Sequence, residues 1–370
     1  MRIVAAMSGG VDSSVAAALL HEAGHEVVGV TLQLYDHGAA AKKRGACCAG
    51  QDIHDARDVA DRIGIAHYVV DAEARFRASV IEAFADSYAA GETPVPCIRC
   101  NQGVKFTDLM ALSRELGAEA LATGHYVRRT EGAGGPELHR PADLSRDQSW
   151  FLFATTRAQL ARLRFPLGEY ADKAAVRAQA VRLGLAVAEK PDSQDLCFVP
   201  DGRYDALVAA LRPDAAEPGE IVDAQGRVVG RHAGIAGYTV GQGRRLGDAA
   251  QLGGERQVVV ALDAPRRRIV VGPRGAGTGG REVALREVNW LADPPARLRC
   301  EVRLRARDGL RGAEVVADGD GTARVVLDEP ALAAPGQACV FYAGSRVLGG
   351  GFVRSAGAGP GIVPEHAAAS

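Results

Sequence analysis

Two textures of apolar residues alternate over the first two hundred positions. Short runs rich in branched and small apolar residues suit buried strands: RIVAAM from residue 2, HEVVGVTLQL from 25, AHYVVD from 66 and AEALATGHY from 118. Between them, SSVAAALLHEAG and QDIHDARDVADRIG repeat their apolar positions at helical spacing, and each ends on a glycine suited to stopping a helix. A further amphipathic helix follows Cys97 and Cys100 and carries Phe106, Leu109, Met110 and Leu112. Strands alternating with helices predict βαβ units and a parallel sheet, with any ligand at the carboxyl ends of the strands.

The texture changes after LRPDAAEPGE. EIVDAQGRVVGRH and QVVVALDAPRRRIVVG read as hairpins about turn residues, PRGAGTGG as a linker. ARLRCEVRLRAR, AEVVADGDGTARVVL and ACVFYAGSRVLGGGFV then predict a small barrel. The expected fold class is α/β. A catalytic domain spans 1–210, a small β-rich domain 211–275 and a β-barrel 280–355, with a disordered tail at 356–370. No internal repeat is visible.

Composition narrows the class. Of 370 residues, 47% are apolar and 24% charged, which suits a water-soluble globular protein. No apolar run approaches the roughly 18 residues that span a bilayer, and no secretory signal opens the chain. Seven cysteines, an odd number, argue against a disulfide scaffold and for the reducing cytoplasm. A net charge of −1 excludes a globally basic nucleic-acid binder but leaves local patches open.

The first strand runs into SGGVDSS, residues 8–14. Glycines there bare backbone N–H groups, Ser8, Ser13 and Ser14 add hydroxyls, and the helix start attracts an anion. The lysine that a P-loop extends to the outer phosphates is missing. Asp12 would repel a bare phosphate, so it suits holding Mg²⁺ against one. The plainer alternative is a strand–turn–helix junction with Asp12 or Ser13 as helix cap. SGGVDSS resembles the loop of the ATP pyrophosphatases, which cleave ATP between the α and β phosphates. That likeness implies adenylation of a substrate oxygen and a loop that grips the departing pyrophosphate.

Cysteines supply the second chemistry. Cys97 and Cys100 precede an amphipathic helix, where a thiol is expected to have a lowered pKa. Cys197 lies in a polar loop between Asp195 and Phe198. Cys300 and Cys339 read as buried small hydrophobes. A C-x-x-C can also be half a zinc site or a redox pair, but no second pair or spaced histidines follow, and adjacent Cys47 and Cys48 partner it poorly.

Together SGGVDSS, RGACCAGQDIHDARDVADRIGI, PCIRCNQGVKF, ATGHY, RDQSWFL, EKPDSQDLCFV, VGQGRRLG, PGQACVFY and LGGG resemble the tRNA-specific 2-thiouridylase family across nearly the whole chain. The resemblance implies a pyrophosphatase domain, a small central domain and a C-terminal barrel. It implies ATP with Mg²⁺, tRNA as substrate, and a sulfur-relay protein or cysteine desulfurase as sulfur source. ATP would meet Ala6, Met7, Ser8, Gly9, Gly10, Val11, Asp12 and Ser13, with Leu32 and Gly124. Cys197 would carry a persulfide, and Cys100 would attack it and close a disulfide. His125, Arg146, Asp147, Gln148 and Gln337 would touch tRNA; unaided, His125 reads as a strand-end side chain satisfied locally.

One position departs from the family pattern. Val95, Pro96 and Cys97 stand near the expected target base where many relatives have Asn-Pro-Asp, so a weakly acidic thiol replaces a carboxylate. Cys97, Cys100 and Cys197 could alternatively hold an iron–sulfur cluster.

For RNA, the strand pattern offers Arg303, Arg305 and Arg307 alternating with apolar residues, which predicts three guanidinium groups on one face. Residues 295–312 hold six arginines against Glu301 and Asp308. Such a face would contact phosphates without reading sequence, or it is simply a solvated strand face. Two other readings share the loop: an amidating ligase, for which no glutaminase-like segment is visible, and a non-catalytic carrier that keeps the loop as a relic.

Overall fold

The computed structural model describes residues 1–35, 48–192, 196–199, 202–275 and 279–356, with only the backbone of Cys48 and Ala49. Cys47, Asp195 and the tail from residue 357 lie outside the described residues. Strand β1 (Arg2–Ala6) leads through the serine–glycine loop into helix α1 (Val11–Glu22). Then come β2 (Glu26–Gln33), helix α2 (Cys48–Ile63), β3 (Ala66–Asp71), β4 (Ala120–Ala122) and, after a hairpin, the short β7 (Leu163–Arg164). All pair in parallel, in the order β3-β2-β1-β4-β7. Strand order reverses between β1 and β4, and the crevice beyond their carboxyl ends is where an open α/β sheet takes a ligand.

Both faces of this sheet are covered, which is why its strands read as continuous apolar runs. Helices α1 and α2 pack Val15, Ala17, Val59 and Ala60 on one side. On the other lies the continuous helix from Pro96 to Glu115, which buries Ile98, Phe106, Leu109 and Met110 against Val4, Val30 and Leu121. Its middle, Asn101–Asp108, is wound as a π-helix, a rare form frequent at functional sites. A second π stretch, Arg77–Glu82, interrupts the helix between Glu73 and Ala89.

The hairpin β5 (Arg128–Gly132) and β6 (Gly135–His139) leaves the first domain to extend the barrel sheet, β6 pairing Leu138 with Val347. Nothing in the sequence pattern announced it. The central unit holds β8 (Gly219–Val222), β9 (Val228–His232), β10 (Gln251–Leu252), β11 (Glu255–Asp263) and β12 (Arg268–Pro273), in the order β10-β11-β12-β8-β9. Its two main antiparallel pairs, β8–β9 and β11–β12, are the hairpins expected from the sequence.

Six strands form the C-terminal barrel: β13 (Gly280–Trp290), β14 (Arg297–Arg303), β15 (Arg311–Ala317), β16 (Ala323–Ala331), β17 (Ala338–Ala343) and β18 (Arg346–Ala356). They run in the order β13-β16-β15-β14-β17-β18, and pairing of β13 with β18 closes the ring. Strand β14 ends at Arg303, which corrects the arginine face expected from alternation. Arg303 points inward, Arg305 reaches the carbonyl of Val240 at 3.2 Å, and Arg307 is exposed on the turn beyond. The solvent face of β14 carries Arg297 and Arg299 instead, paired with Glu314 and Asp328.

Barrel and first domain share one core. Trp150, Leu152 and Phe153 pack with Val340, Tyr342 and Phe352, all nearly free of solvent contact. Around this seam, Arg286 forks onto Glu92 at 2.6 and 2.8 Å, and Arg99 forks onto Glu287 at the same distances. Asn289 donates to the carbonyls of Phe153 and Thr155. Among the described residues no helix is long and apolar enough to cross a membrane.

A shared core has a measurable consequence. Phe153→Ala is expected to cost about 3–5 kcal/mol, the usual range for emptying a large aromatic site. In denaturant titrations followed by tryptophan fluorescence and by far-UV circular dichroism, both transitions should move together to lower concentration. Displacement of one alone would mean the two domains are energetically separate.

Candidate active site in the crevice beyond the parallel sheet

The loop after β1 is shaped by two close approaches. Gly9 has φ +74°, and a Cβ there would lie 2.1 Å from the Asp52 carbonyl oxygen. Gly124, just past β4, sits so close to the loop that a Cβ would meet the Asp12 carbonyl carbon and the Ser13 nitrogen at 2.7 Å. Gly10 caps α1 without any side-chain hydrogen bond, so the first-turn N–H groups have no side-chain cap. Ser13 and Ser14 hydroxyls donate to the Gly10 carbonyl at 3.1 and 2.9 Å, and the Ser8 N–H donates to Ser13 Oγ at 3.0 Å. The result is a rigid backbone cradle at a helix N-terminus, suited to an anion.

The lysines that the loop lacks come from elsewhere. Lys173 donates to both oxygens of Asp12, at 2.6 and 2.8 Å, and pairs with Asp192 at 2.9 Å. Lys190 donates to the Gly9 carbonyl at 2.9 Å and pairs with Asp52 and Asp55. Burial works to lower the Lys190 pKa, but its two carboxylates outweigh that and raise it. Tyr126 also donates to Asp12, at 2.6 Å. Asp12 as it stands is held through both its oxygens by Lys173 and by the Tyr126 hydroxyl. Sequence reading missed Lys173 and Tyr126, which lie 161 and 114 positions from Asp12.

Leu32, at the end of β2, packs into a small core with Phe76, Val80, Cys100, Val104 and Phe198. Phe198 is held edge-on by Phe76 and Phe84 at 5.8 and 5.4 Å, which fixes its neighbour Cys197 on the Cys100 side of the crevice. Cys100 is buried, whereas Cys97 and Cys197 reach solvent, and all three are free thiols. Burial raises all three pKa values, that of Cys197 to about 12. This corrects the expectation of a lowered pKa at the helix start: dehydration outweighs the helix terminus and the nearby Lys105 ammonium. Lys105, unremarked in the sequence, acts on all three thiols and on His125. Among the described residues no group of three His, Cys, Asp or Glu side chains is arranged to hold a metal ion. The three thiols thus do not fit an iron–sulfur cluster as they stand.

His125 bonds Thr123 at 2.8 Å and lies edge-on to Phe106 and Phe165. Burial pushes its pKa down to about 3, so it is neutral. Val95 and Pro96 border a crevice of about 280 Å³ between the first domain and the barrel, near Arg99 and Phe352. Of the RDQ turn, Arg146 is exposed and pairs with Asp192 at 2.7 Å. Asp147 is internal: it accepts from Arg140 and Arg303 at 2.7 and 2.9 Å, with 3% of its side chain exposed. Gln148 accepts from the Tyr126 N–H at 2.8 Å, and Gln337 donates to the Thr93 carbonyl at 2.9 Å. Asp147 and Arg303 are therefore engaged with each other rather than offered to a partner.

Raised thiol pKa values can be read by alkylation. At pH 8, Cys197 should react with iodoacetamide at least about a hundredfold more slowly than a free cysteine. Its rate should keep climbing as pH rises past 10. Peptide mass analysis checks this; a plateau below pH 9 would contradict it.

Residues 1–201 match the family model described as tRNA methyl transferase HUP domain. Residues 210–273 match its PRC-barrel domain, and 280–353 the aminomethyltransferase beta-barrel domain. The chain is 68% identical to tRNA-specific 2-thiouridylase MnmA of Acidiphilium cryptum, over 95% of this chain and 100% of that one. Against the same-named protein of Gluconobacter oxydans identity is 65%, over 95% and 99%. Among solved structures, a 4-thiouridine synthetase–RNA complex with bound ATP aligns at TM-score 0.37 and 17% identity, over 58% of this chain and 50% of that one. NMN synthetase from Francisella tularensis aligns at 0.33 and 18%, over 57% and 76%. By its full-length identity to these relatives, the chain belongs to the tRNA-specific 2-thiouridylase family.

Proposed function

We propose that this chain is an ATP-dependent tRNA-uridine 2-sulfurtransferase that converts the wobble uridine to 2-thiouridine. One observation carries the reading: the anion cradle at Ser8–Ser13 follows β1, while Cys100 packs against Leu32 near the carboxyl end of the adjacent β2, with Cys97 and Cys197 close enough to act on its charge. Methyl transfer, the chemistry in the family model's description, needs neither a diphosphate cradle nor paired thiols.

In this reading the uridine C2 oxygen attacks the α-phosphorus of ATP, and the phosphorus–oxygen bond to pyrophosphate breaks. The loop N–H groups and α1 receive the diphosphate charge. Adenylation turns a poor leaving group into AMP. The terminal sulfur of a Cys197 persulfide then forms the new bond at C2 as the carbon–oxygen bond to AMP breaks. Cys100 attacks the Cys197 sulfur, the bond from that sulfur to the one now on C2 breaks, and a Cys100–Cys197 disulfide closes, so the two thiols supply the electrons that reduce the transferred sulfur. An external thiol must reopen that disulfide, which fits a reducing, cytoplasmic setting. The solvent-accessible Cys197 suits loading by a sulfur-relay protein or cysteine desulfurase. Cys97 stands where it could give or take a proton at the base, as a weak acid. Neutral His125, Arg146, Gln148 and the exposed Arg307 are the groups from which RNA contacts would be drawn.

Nucleoside mass analysis of tRNA incubated with ATP and a sulfide or persulfide source tests the reaction. Native protein should replace oxygen by sulfur in uridine and form AMP only when tRNA is present. An amidating ligase would ignore tRNA, and a carrier would form no AMP. Cys197→Ser should lose persulfide-driven thiolation while binding nucleotide normally; retained thiolation would mean another residue delivers sulfur. Gly124→Ala, which crowds the loop backbone, should lower AMP formation at least about tenfold with an unchanged circular dichroism spectrum.

A further inference from the structure

Asp12 is the carboxylate of the nucleotide loop, and its charge is already taken. Lys173, with 10% of its side chain exposed, binds both Asp12 oxygens. That same ammonium is shared with Asp192, which also holds Arg146 at 2.7 Å and Arg177 at 3.5 Å. Arg146, Asp192, Lys173 and Asp12 thus form an alternating row of charges from the surface to the loop. Arg146 is its exposed end, with 42% of its side chain in solvent.

The backbone under Arg146 is fixed. Asp147 is gripped by Arg140 and Arg303 and accepts from the Ser149 N–H at 3.0 Å. Burial works to raise the Asp147 pKa, but Ser149, Arg140 and Arg303 hold it below the usual carboxylate range, so this clamp stays charged. Gln148 is tied to Tyr126 in both directions, by its side chain at 2.8 Å and its backbone at 3.2 Å. With its neighbours pinned, the turn leaves the Arg146 side chain as its movable, exposed part.

Each charge in the row competes for shared partners. A phosphate is an excellent bidentate ligand for a guanidinium. A phosphate that draws Arg146 from Asp192 removes one of the cations that Asp192 shares, and Lys173, already 2.9 Å away, is drawn closer to Asp192, with Arg177 at 3.5 Å as the other neighbour. Lys173 then loosens from Asp12, whose carboxylate becomes available beside the nucleotide's phosphates. In a partly dehydrated network such re-pairing is felt by every member.

We propose that the row Arg146–Asp192–Lys173–Asp12 couples the two substrates: an RNA phosphate taken by Arg146 frees Asp12 at the nucleotide loop and tightens binding of the magnesium nucleotide. The inference rests on the reading of this site as an ATP- and tRNA-using one. Lys173 and Asp192 act in it as positioning residues.

The test measures dissociation constants of α,β-methylene-ATP with magnesium, with and without saturating unthiolated tRNA, on the full chain. Native protein should bind the analogue at least about fivefold more tightly with tRNA, within the usual range of coupling between sites. Asp192→Asn, an isosteric change, should reduce that ratio to below about twofold while tRNA is still bound. Lys173→Gln provides a second variant and should do the same, so misfolding of either leaves the other decisive. A merely structural role would move affinities but not their ratio. Native coupling in a folded variant overturns the proposal, as does native protein that binds both ligands without coupling. Native protein that binds no nucleotide at all would refute the underlying reading of the site, and this inference with it.

Discussion

A single ammonium, that of Lys173, stands between Asp12 in the nucleotide loop and Asp192 in the stretch that leads to Cys197. Removing it would strip Asp12 of the cation that binds both its oxygens and leave Asp192 with Arg146 and Arg177. The loop can hold an acidic residue beside an anion-binding helix start only because this counter-charge is supplied. Lys190 does the same on the other flank, joining the Gly9 carbonyl to Asp52 and Asp55 on α2. Two lysines brought from the far end of the domain therefore neutralise the carboxylates around the loop, whereas the lysine of a P-loop reaches phosphate.

The thiols follow a different constraint. Cys100 is buried beside aromatic rings and Cys97 and Cys197 are open to solvent, yet packing around each sulfur raises all three pKa values. A thiol with a raised pKa yields less thiolate at neutral pH unless a base or a cation changes its surroundings. Lys105 is the cation placed to act on it. The π winding of Asn101–Asp108 matters here, because an i to i+5 repeat brings Lys105 toward the face of the helix that carries Cys100. Alpha winding would turn it further round.

The barrel is an integral part of this arrangement. It shares the Trp150–Phe153 core with the catalytic domain, receives the β5–β6 hairpin as extra strands, and is latched by Arg99 to the turn between Cys97 and Cys100. Glu287, the partner of Arg99, sits at φ +52° within a bulged strand, a conformation that the surrounding contacts must sustain.

Local pattern in the sequence was enough for the α/β class, the first four strands, helices α1 and α2, the two central hairpins and barrel strands β14 to β18, though not β13, because periodicity and turn residues are local signals. The loop and the three cysteines of the crevice were legible for the same reason: their motifs are short and chemically specific. Tertiary structure decided the rest. It supplied Lys173, Lys190 and Tyr126 from more than a hundred positions away, placed the β5–β6 hairpin in another domain's sheet, and ended β14 at Arg303. It also reversed the expected thiol pKa shift, because helix position is written along the chain whereas burial depends on what other segments pack around a sulfur. The same holds for Arg303: alternation suggested a surface, and only the packed fold revealed that it faces Asp147 inside.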